Sequence, residues 1–385
     1  MAGKTHSTLI SVLHIITGLE NNGAETMLFK LIKSSNPNNF KHSVISLGEI
    51  GPIGRRLIDD GYVVKACGFV SGRLPLKPFI SLMMEIIASK PSIVQTWLYH
   101  ADLIGGVTAR VCGCKNVVWN IRQSNIDAEV NSKHSLIAMK LCSLLSSIVP
   151  KAIVSNSNKA ILVHEAAGYD SEKFKLIPNG FEVNKPKRSI NIRMELRLNW
   201  GLTSDSFVIG FFARYDPQKN HKGLIDAFYE LSKSKSNAFL VLAGKGVDSE
   251  NSMLKSLIDQ YGIQDKIKLL GFRPDVQDLF YALDLFVLPS IGEGFPNSLG
   301  EAMNSGLPCI SSDVGDCKYV LEDERFIVPP NSSSDLFAKM SHMIGMPKDE
   351  LIQIGLKNQE RIASRYGIRK IVEKYEKLYF DLYSR

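Results

Sequence analysis

The segment Asp284-Leu-Phe-Val-Leu-Pro-Ser-Ile-Gly-Glu-Gly-Phe-Pro-Asn-Ser-Leu-Gly-Glu-Ala-Met303 constrains the fold of this chain more than any other stretch. Its apolar run Leu285 to Leu288 predicts a buried strand that stops at Pro289. Pro296 stands where a helix begins, with Asn297, Ser298 and Leu299 as its first turn. Gly306 and Pro308 end that helix about three turns later. A strand, a glycine-bearing loop and a helix N-terminus together form one unit of an α/β sheet. The amides and positive dipole end of such a helix suit an anion such as a phosphate. Glu293 lies on the loop before this anion site, and Glu301 one turn inside the helix. Two carboxylates there repel a phosphate, but they accept hydrogen bonds from hydroxyl groups on either side of it. A sugar on one side and a ribose on the other describes a nucleotide-sugar. The competing reading makes both glutamates ordinary helix-start residues, because acidic groups are favoured near N-termini. Gly292 and Gly294 around Glu293, with Pro296 fixing the helix entry, favour function.

The rest of the chain repeats this unit. In the first half the apolar pattern predicts strands at Ser11–Ile16, His42–Leu47, Val63–Cys67, Ile93–Trp97, Asn116–Asn120 and Ala152–Ser155, with helices such as Thr26–Ser34 and Pro78–Ala88 between them. In the second half strands are expected at Phe207–Ala213, Ala238–Ala243, Ile267–Leu270, Leu285–Leu288 and Pro308–Ser311. Such alternation specifies α/β architecture with parallel, doubly wound sheets, and 385 residues suit two domains. The turn signal Pro178-Asn-Gly180 closes a domain at 1–180. The polar stretch Phe181 to Ser206 carries the chain into a second domain, 181–365. Over 366–385, Ile371, Tyr375, Leu378, Tyr379 and Leu382 share one helical face.

Composition narrows the class. An apolar content of 44% with balanced charge fits a soluble globular protein. No apolar run reaches the roughly 18 residues of a membrane span, and Leu9 to Ile16 reads as a first strand, not a signal peptide. The six cysteines form no C-x-x-C pair or zinc spacing, so reduced thiols in the cytoplasm are expected. Residues 1–180 hold 19 Lys and Arg against 12 Asp and Glu, while residues 181–385 hold 27 against 27. The whole net charge of +7 therefore sits in the first half, which suits an anionic membrane leaflet or a pyrophosphate-linked lipid. No helix-turn-helix, zinc or RNA-binding signature supports nucleic acid.

In sheets of this kind ligands bind beyond the C-terminal strand ends. Several loops fall there. Gly18 and Gly23 have the spacing of a phosphate loop, but Ala24 and Glu25 stand where that loop needs Lys and Ser or Thr, which excludes ATP or GTP hydrolysis. His100 follows the strand Ile93–Trp97, and Asp102 is expected to cap the next helix. Arg214 and Lys219 follow the strand Phe207–Ala213. Arg214 grips phosphate oxygens bidentately and Lys219 adds a point charge, so together they stabilise a departing nucleoside diphosphate without a metal. Arg273 sits in Gly271-Phe-Arg-Pro-Asp275, and Gly315 in the turn Asp313-Val-Gly-Asp316.

These motifs, in this order over nearly the whole chain, resemble the retaining glycosyltransferases of family 4, the group 1 type that builds bacterial surface glycans. The resemblance implies the GT-B fold: two Rossmann-like domains facing a central cleft, with a C-terminal helix crossing back onto the first. It implies that the first domain binds the acceptor and the second the nucleotide-sugar donor. Glu301 would hold the ribose, Glu293 and His100 the transferred sugar, and the backbone from Gly294 and Phe295 through Pro296 to Leu299 the sugar and diphosphate. Gly23 would approach the diphosphate, with Asn22 in place of the family's first glycine, and Arg273 would lie beside the base. The implied reaction is retaining, metal-independent transfer of a hexose or N-acetylhexosamine from a nucleotide-diphosphate sugar, with uridine the expected base. The acceptor would be an undecaprenyl-pyrophosphate type glycan of lipopolysaccharide O-antigen, capsule or exopolysaccharide, reached from the inner face of the cell membrane. No cofactor is expected. No first-half carboxylate stands out as a nucleophile, so front-face attack assisted by the leaving phosphate is the expected route. Two competing readings are a sugar-nucleotide epimerase on the same architecture and a non-catalytic nucleotide- or glycan-binding protein.

Overall fold

The computed structural model describes residues 9–70, 76–127, 131–183 and 190–384. It divides into two compact units, Met1–Gly180 with Ile368–Arg385, and Phe181–Gly367.

The first unit is built on strands β1 (Ile10–Ile16), β2 (Phe40–Ser46), β3 (Val63–Ala66), β4 (Ile93–Trp97), β5 (Val117–Ile121), β6 (Ala152–Ser155) and β7 (Phe174–Leu176). They form one parallel sheet in the order β3-β2-β1-β4-β5-β6-β7. The order reverses between β1 and β4, where Ile16 lies opposite Trp97. Helices cover both faces, so β1, β4 and β5 read as nearly unbroken apolar runs. On one face Met27, Leu28 and Leu31 of the helix Gly23–Ser34 pack with Ile371, Val372, Tyr375 and Tyr379 of the helix Ile368–Tyr383. On the other face Leu82 and Ile86 of the helix Leu76–Ser89 share a core with Ala138, Met139 and Cys142 of the helix Lys133–Leu145. Gly105 and Gly106 let the chain lie directly on this sheet. A Cβ at Gly106 would stand 2.4 Å from the Trp119 ring nitrogen, and one at Gly105 would stand 2.8 Å from Ile15.

The second unit holds β8 (Phe207–Phe212), β9 (Ala238–Ala243), β10 (Ile267–Leu269), β11 (Leu285–Leu288), β12 (Cys309–Ser312) and β13 (Ile327–Val328). The parallel order is β10-β9-β8-β11-β12-β13, reversing between β8 and β11. Asp284, at the start of β11, accepts from Arg193 and Arg197 at 2.5 Å each and from the Val208 amide at 2.8 Å, which ties the helix Ile190–Asn199 to two central strands.

The predicted strands all form, but several expectations need correction. The strands β7 and β13 carry only three and two residues, too few to show a period. The helix after Pro296 runs from Asn297 to Asn304, eight residues instead of about three turns, because Gly306 already sits at φ +74. The stretch Phe181 to Ser206 is not simply a polar crossing, since it contains the helix Ile190–Asn199. Phe181 itself is buried in the second unit, where it packs so closely on Gly300 that an added Cβ would meet its ring at 2.1 Å. The Phe181 amide donates to the Tyr366 carbonyl at 2.9 Å, so the second unit's entry and exit lie side by side. Tyr366 therefore stays in that unit, and the C-terminal helix starts at Ile368. The six cysteines are free thiols.

Candidate active site

Three loops beyond the C-terminal ends of β8, β11 and β12 are stitched together. In the loop after β8, Asp216 accepts from the Gln218 amide at 2.9 Å and turns the chain at Pro217–Lys219. Asn220, at φ +51, accepts from the Gly223 amide at 3.1 Å and so caps the helix His221–Ser234. Its amide group also donates to the Pro289 carbonyl at 3.1 Å, and the Ile291 amide donates to the Gln218 carbonyl at 2.8 Å. The loop after β11 is thereby fixed against the loop after β8 at the strand-order reversal. The consequence is an ion pair: Lys219 Nζ lies 2.5 Å from Glu293 Oε1, with side-chain exposures of only 18% and 9%. Ser290 Oγ donates to the same oxygen at 2.7 Å. The third loop closes on the second. Gly315, at φ +55, lies so near that a Cβ would stand 2.4 Å from the Glu293 carbonyl oxygen, and the Asp316 amide donates to the Gly294 carbonyl at 3.0 Å. Gly315 thus serves both its turn and the seating of Glu293.

Buried Phe295 and Pro296 lead into the helix Asn297–Asn304, which no side chain caps. Asn297, Ser298 and Leu299 form its first turn, where a helix presents its amides. Glu301 follows one turn in and is partly buried. Arg214 is 66% exposed and pairs with Asp216 at 2.8 Å. Burial alone would raise the Asp216 carboxyl, but the Gln218 amide and Arg214 outweigh it and hold it below its usual range. Arg273 makes two bonds to Asp275, at 2.7 and 2.5 Å, on the loop after β10.

The other two candidates belong to the first unit, beyond adjacent strands at its own strand-order reversal. Gly23 is the first residue of the helix Gly23–Ser34, after Asn22 in extended conformation. Asn22 donates to Glu25 at 3.2 Å, and burial pushes the Glu25 carboxyl above its usual range. His100 is half-buried beyond β4, and burial, then repulsion from His134, pulls it below its usual value. Asp102 does not cap a helix. It is fully buried, accepts from Thr96 Oγ1 at 2.5 Å and from the Asn120 amide at 3.3 Å, and burial pushes it up to about 7.

The structure brings Lys219 and Glu293 together, and sequence reasoning missed Ser290, Gln218 and Asn220, which place that pair. Ser290, three residues before Glu293 and directly after the strand-ending Pro289, was the one with a readable signal. Among the described residues no group of three or more His, Cys, Asp or Glu side chains is placed to hold a metal ion.

Two parallel Rossmann-like sheets, with the returning helix Ile368–Tyr383 in the first unit, define the GT-B glycosyltransferase fold. HepE of Anabaena, solved with UDP-glucose, superimposes with a TM-score of 0.82 over 96% of this chain and 99% of its own, at 21% identity. Residues 193–355 match the family model "Glycosyl transferases group 1". An Escherichia coli relative, UDP-Gal:alpha-D-GlcNAc-diphosphoundecaprenol alpha-1,3-galactosyltransferase, is 27% identical over 87% of each chain. A Campylobacter jejuni relative, N,N'-diacetylbacillosaminyl-diphospho-undecaprenol alpha-1,3-N-acetylgalactosaminyltransferase, is 32% identical over 41% of each chain.

Proposed function

We propose that this glycosyltransferase moves a hexose or N-acetylhexosamine, with retention, from a UDP-sugar to a hydroxyl of an undecaprenyl-diphosphate-linked glycan in surface polysaccharide synthesis. The observation that carries this reading is the partly buried Lys219–Glu293 pair at a strand-order reversal, beside the helix N-terminus at Asn297. A carboxylate fixed there by a lysine accepts hydroxyl hydrogen bonds from a sugar, while the lysine's remaining donors face the charge that grows on a leaving phosphate. The names of the Escherichia coli and Campylobacter jejuni relatives supply the donor and acceptor classes. Nothing in the comparisons favours the epimerase reading.

In this proposal the second unit takes the donor and the first the acceptor. Glu301 accepts from the ribose, the segment Gly294 to Leu299 holds sugar and diphosphate, and Arg273 lies beside the base. Arg214 exchanges Asp216 for phosphate oxygens, and Gly23 and His100 keep the diphosphate and sugar roles that the resemblance gives them. No metal or cofactor takes part, and the departing phosphate receives the acceptor proton. Incubating UDP-galactose, UDP-glucose and their N-acetylated forms with a diphosphate-linked acceptor, and measuring UDP release and the anomeric configuration of the product, tests the reaction. UDP-sugar turnover without transfer to acceptor would overturn it. Glu301→Ala is expected to weaken UDP binding about 10- to 100-fold in calorimetry, the value of a charge-assisted hydrogen bond of roughly 1.5–3 kcal/mol. Unchanged affinity would remove Glu301 from the ribose.

The same proposal places the enzyme on an anionic membrane surface. No helix among the described residues is long and apolar enough to cross a membrane. Arg73 to Phe79, where the sequence alternates cations with apolar groups, is the first candidate for the contact; it lies outside the described residues as far as Pro75, and the helix Leu76–Ser89 continues it. That helix exposes Leu76, Ile80, Met84 and Ile87. The second candidate needs correction. The stripe Leu136, Ile137, Leu141, Leu144 and Leu145 reads as core packing in the sequence, yet Ile137, Leu141 and Leu144 are exposed while Leu136 and Leu145 pack on the core. Both helices bury their opposite sides in one core cluster, so their open faces lie on the same side of the sheet, with exposed Lys77, Lys133 and Lys140 beside them. Each such lysine contributes about 1 kcal/mol at an anionic surface and fades within a Debye length. Binding to anionic vesicles is expected at low salt, falling as salt rises and lost in a Met84→Asp, Leu144→Asp double variant. A chain that ignores such vesicles would leave a soluble acceptor as the better reading.

A further inference from the structure

The first unit contains a cation whose surroundings are unbalanced. Arg122 follows β5 at the C-terminal edge of the sheet, and its side chain is only partly open to solvent. Its guanidinium lies 4.6 Å over the Trp97 ring. It donates from Nη2 to the Tyr375 hydroxyl at 2.7 Å and from Nη1 to the Asn179 side-chain oxygen. Its Nε is buried without a partner. Among the described residues the groups that face it are neutral: an amide, phenols and an indole. No carboxylate among the described residues pairs with it. A guanidinium drawn into a protein normally finds an anion, because an uncompensated buried charge costs several kcal/mol. Two neutral acceptors and a ring face recover only part of that. Its planar fork is suited to the paired oxygens of a phosphate.

Position narrows the anion. Trp97, beneath the guanidinium, ends β4, the strand that leads into His100, and ligands of such sheets bind at this edge. Lys30 donates to the Gly180 carbonyl at 3.3 Å, one residue beyond Asn179, so a second cation stands on the same short segment. This unit also carries the chain's whole excess of positive charge.

We propose that Arg122, steadied by Asn179, Tyr375 and Trp97, holds an oxyanion of a diphosphate, and that this diphosphate is the one linking the acceptor glycan to its lipid. The acceptor assignment rests on the proposed function. The alternative source of the same chemistry is the donor diphosphate.

Farnesyl diphosphate, with farnesol as the uncharged control, and UDP are titrated into the full chain and followed by calorimetry and by intrinsic tryptophan fluorescence. Farnesyl diphosphate is expected to bind the wild type more tightly than farnesol does. Arg122→Gln is expected to weaken it at least tenfold and Arg122→Lys less, with UDP affinity within twofold of the wild type. If Arg122→Gln does not fold, Tyr375→Phe, which removes only one oxygen, is expected to weaken farnesyl diphosphate three- to tenfold. Unchanged farnesyl diphosphate binding in the folded variants would overturn the proposal and leave Arg122 a brace for the C-terminal helix. Loss of UDP binding instead would give the anion to the donor and overturn the acceptor assignment. A wild type that binds farnesol as well as farnesyl diphosphate, yet still transfers sugar, would sink this site while leaving the glycosyltransferase function standing.

Discussion

Lys219→Ala is expected to lower kcat about 100- to 1,000-fold while changing UDP affinity far less. The reason is differential. In the resting site Lys219 neutralises Glu293 across 2.5 Å. As the sugar–phosphate bond breaks, negative charge grows on the leaving diphosphate, and a preorganised cation in a partly dry site gains more there than it held in the ground state. Losing one such donor costs about 3–4 kcal/mol of barrier, which is the stated range. The substitution also takes the lysine from Glu293 Oε1, where Ser290 Oγ still donates, so the carboxylate meant for the sugar loses its charged anchor. Single-turnover rates at saturating donor, beside UDP calorimetry, separate the two effects. Wild-type turnover in Lys219→Ala would show that the pair only holds the loops together, and a loss confined to UDP affinity would make Lys219 a ground-state binder.

The second large effect is on stability against pH. His14, His42, His164 and His221 are buried, and burial pulls His42, His164 and His221 each down to about 4 and His14 well below its ordinary value. In the first unit Trp97 donates to His14 Nδ1 at 3.3 Å, so His14 turns its remaining proton toward His42 Nδ1, 2.9 Å away. Protonating His42 at that nitrogen would set donor against donor. Lowered folded-state values leave stability intact above about 6.5; His42, His164 and His221 remove it as pH falls from there toward 4, each by roughly 3 kcal/mol when complete, and His14 acts in the same direction. Asp102 acts in the opposite sense. With its carboxyl raised to about 7, its contribution is full at low pH and is lost as pH climbs through 7, by roughly 4 kcal/mol. The melting temperature is therefore expected to fall steeply below about pH 6, where the histidines outnumber Asp102. Asp102→Asn, which keeps an acceptor for Thr96, is expected to melt higher than the wild type at pH 8 and to lose most of that advantage by pH 5. Parallel melting curves for the two proteins across this range would refute the assignment of Asp102.

The strand-loop-helix unit at Leu285 to Asn304 was legible because each signal there is local: an apolar run, Pro289, two glycines and Pro296 in fixed order. The central strands were legible for the same reason, since a parallel strand buried on both faces is a short apolar run whatever its neighbours do. The edge strands β7 and β13 were not, because a strand of two or three residues carries no pattern of its own. The exposed stripe on the helix Lys133–Leu145 was misread for a related reason. Periodicity shows that a helix has an apolar side but not which side meets the sheet, and here the small residues Ala138 and Cys142, with Met139, are the ones inside. At the site, Arg214, Lys219, Glu293 and Glu301 could be named from charge and spacing. The direct bond between Lys219 and Glu293 could not, because it joins residues 74 positions apart and depends on Asn220 reaching the Pro289 carbonyl. Asp102 shows the limit from the other side. An aspartate near a helix start reads as a cap until the strand beside it is seen to enclose it.

The helix Ile368–Tyr383 sets the order in which the chain can be completed during synthesis. Tyr375 and Tyr379 fill the first unit's core from a point nearly two hundred residues beyond Gly180. At the usual pace of about 5–20 residues per second, a ribosome needs roughly 10–40 s to travel that distance. Throughout that interval the apolar groove left for the helix, lined by Met27, Leu31 and Trp97, stands open on the nascent chain. The second unit, contiguous from Phe181 to Gly367, can close before the first does, so the half made earlier is the half finished last. A premature stop shortly before residue 368 would accordingly damage the N-terminal half, and chaperones that hold nascent chains would find their target there.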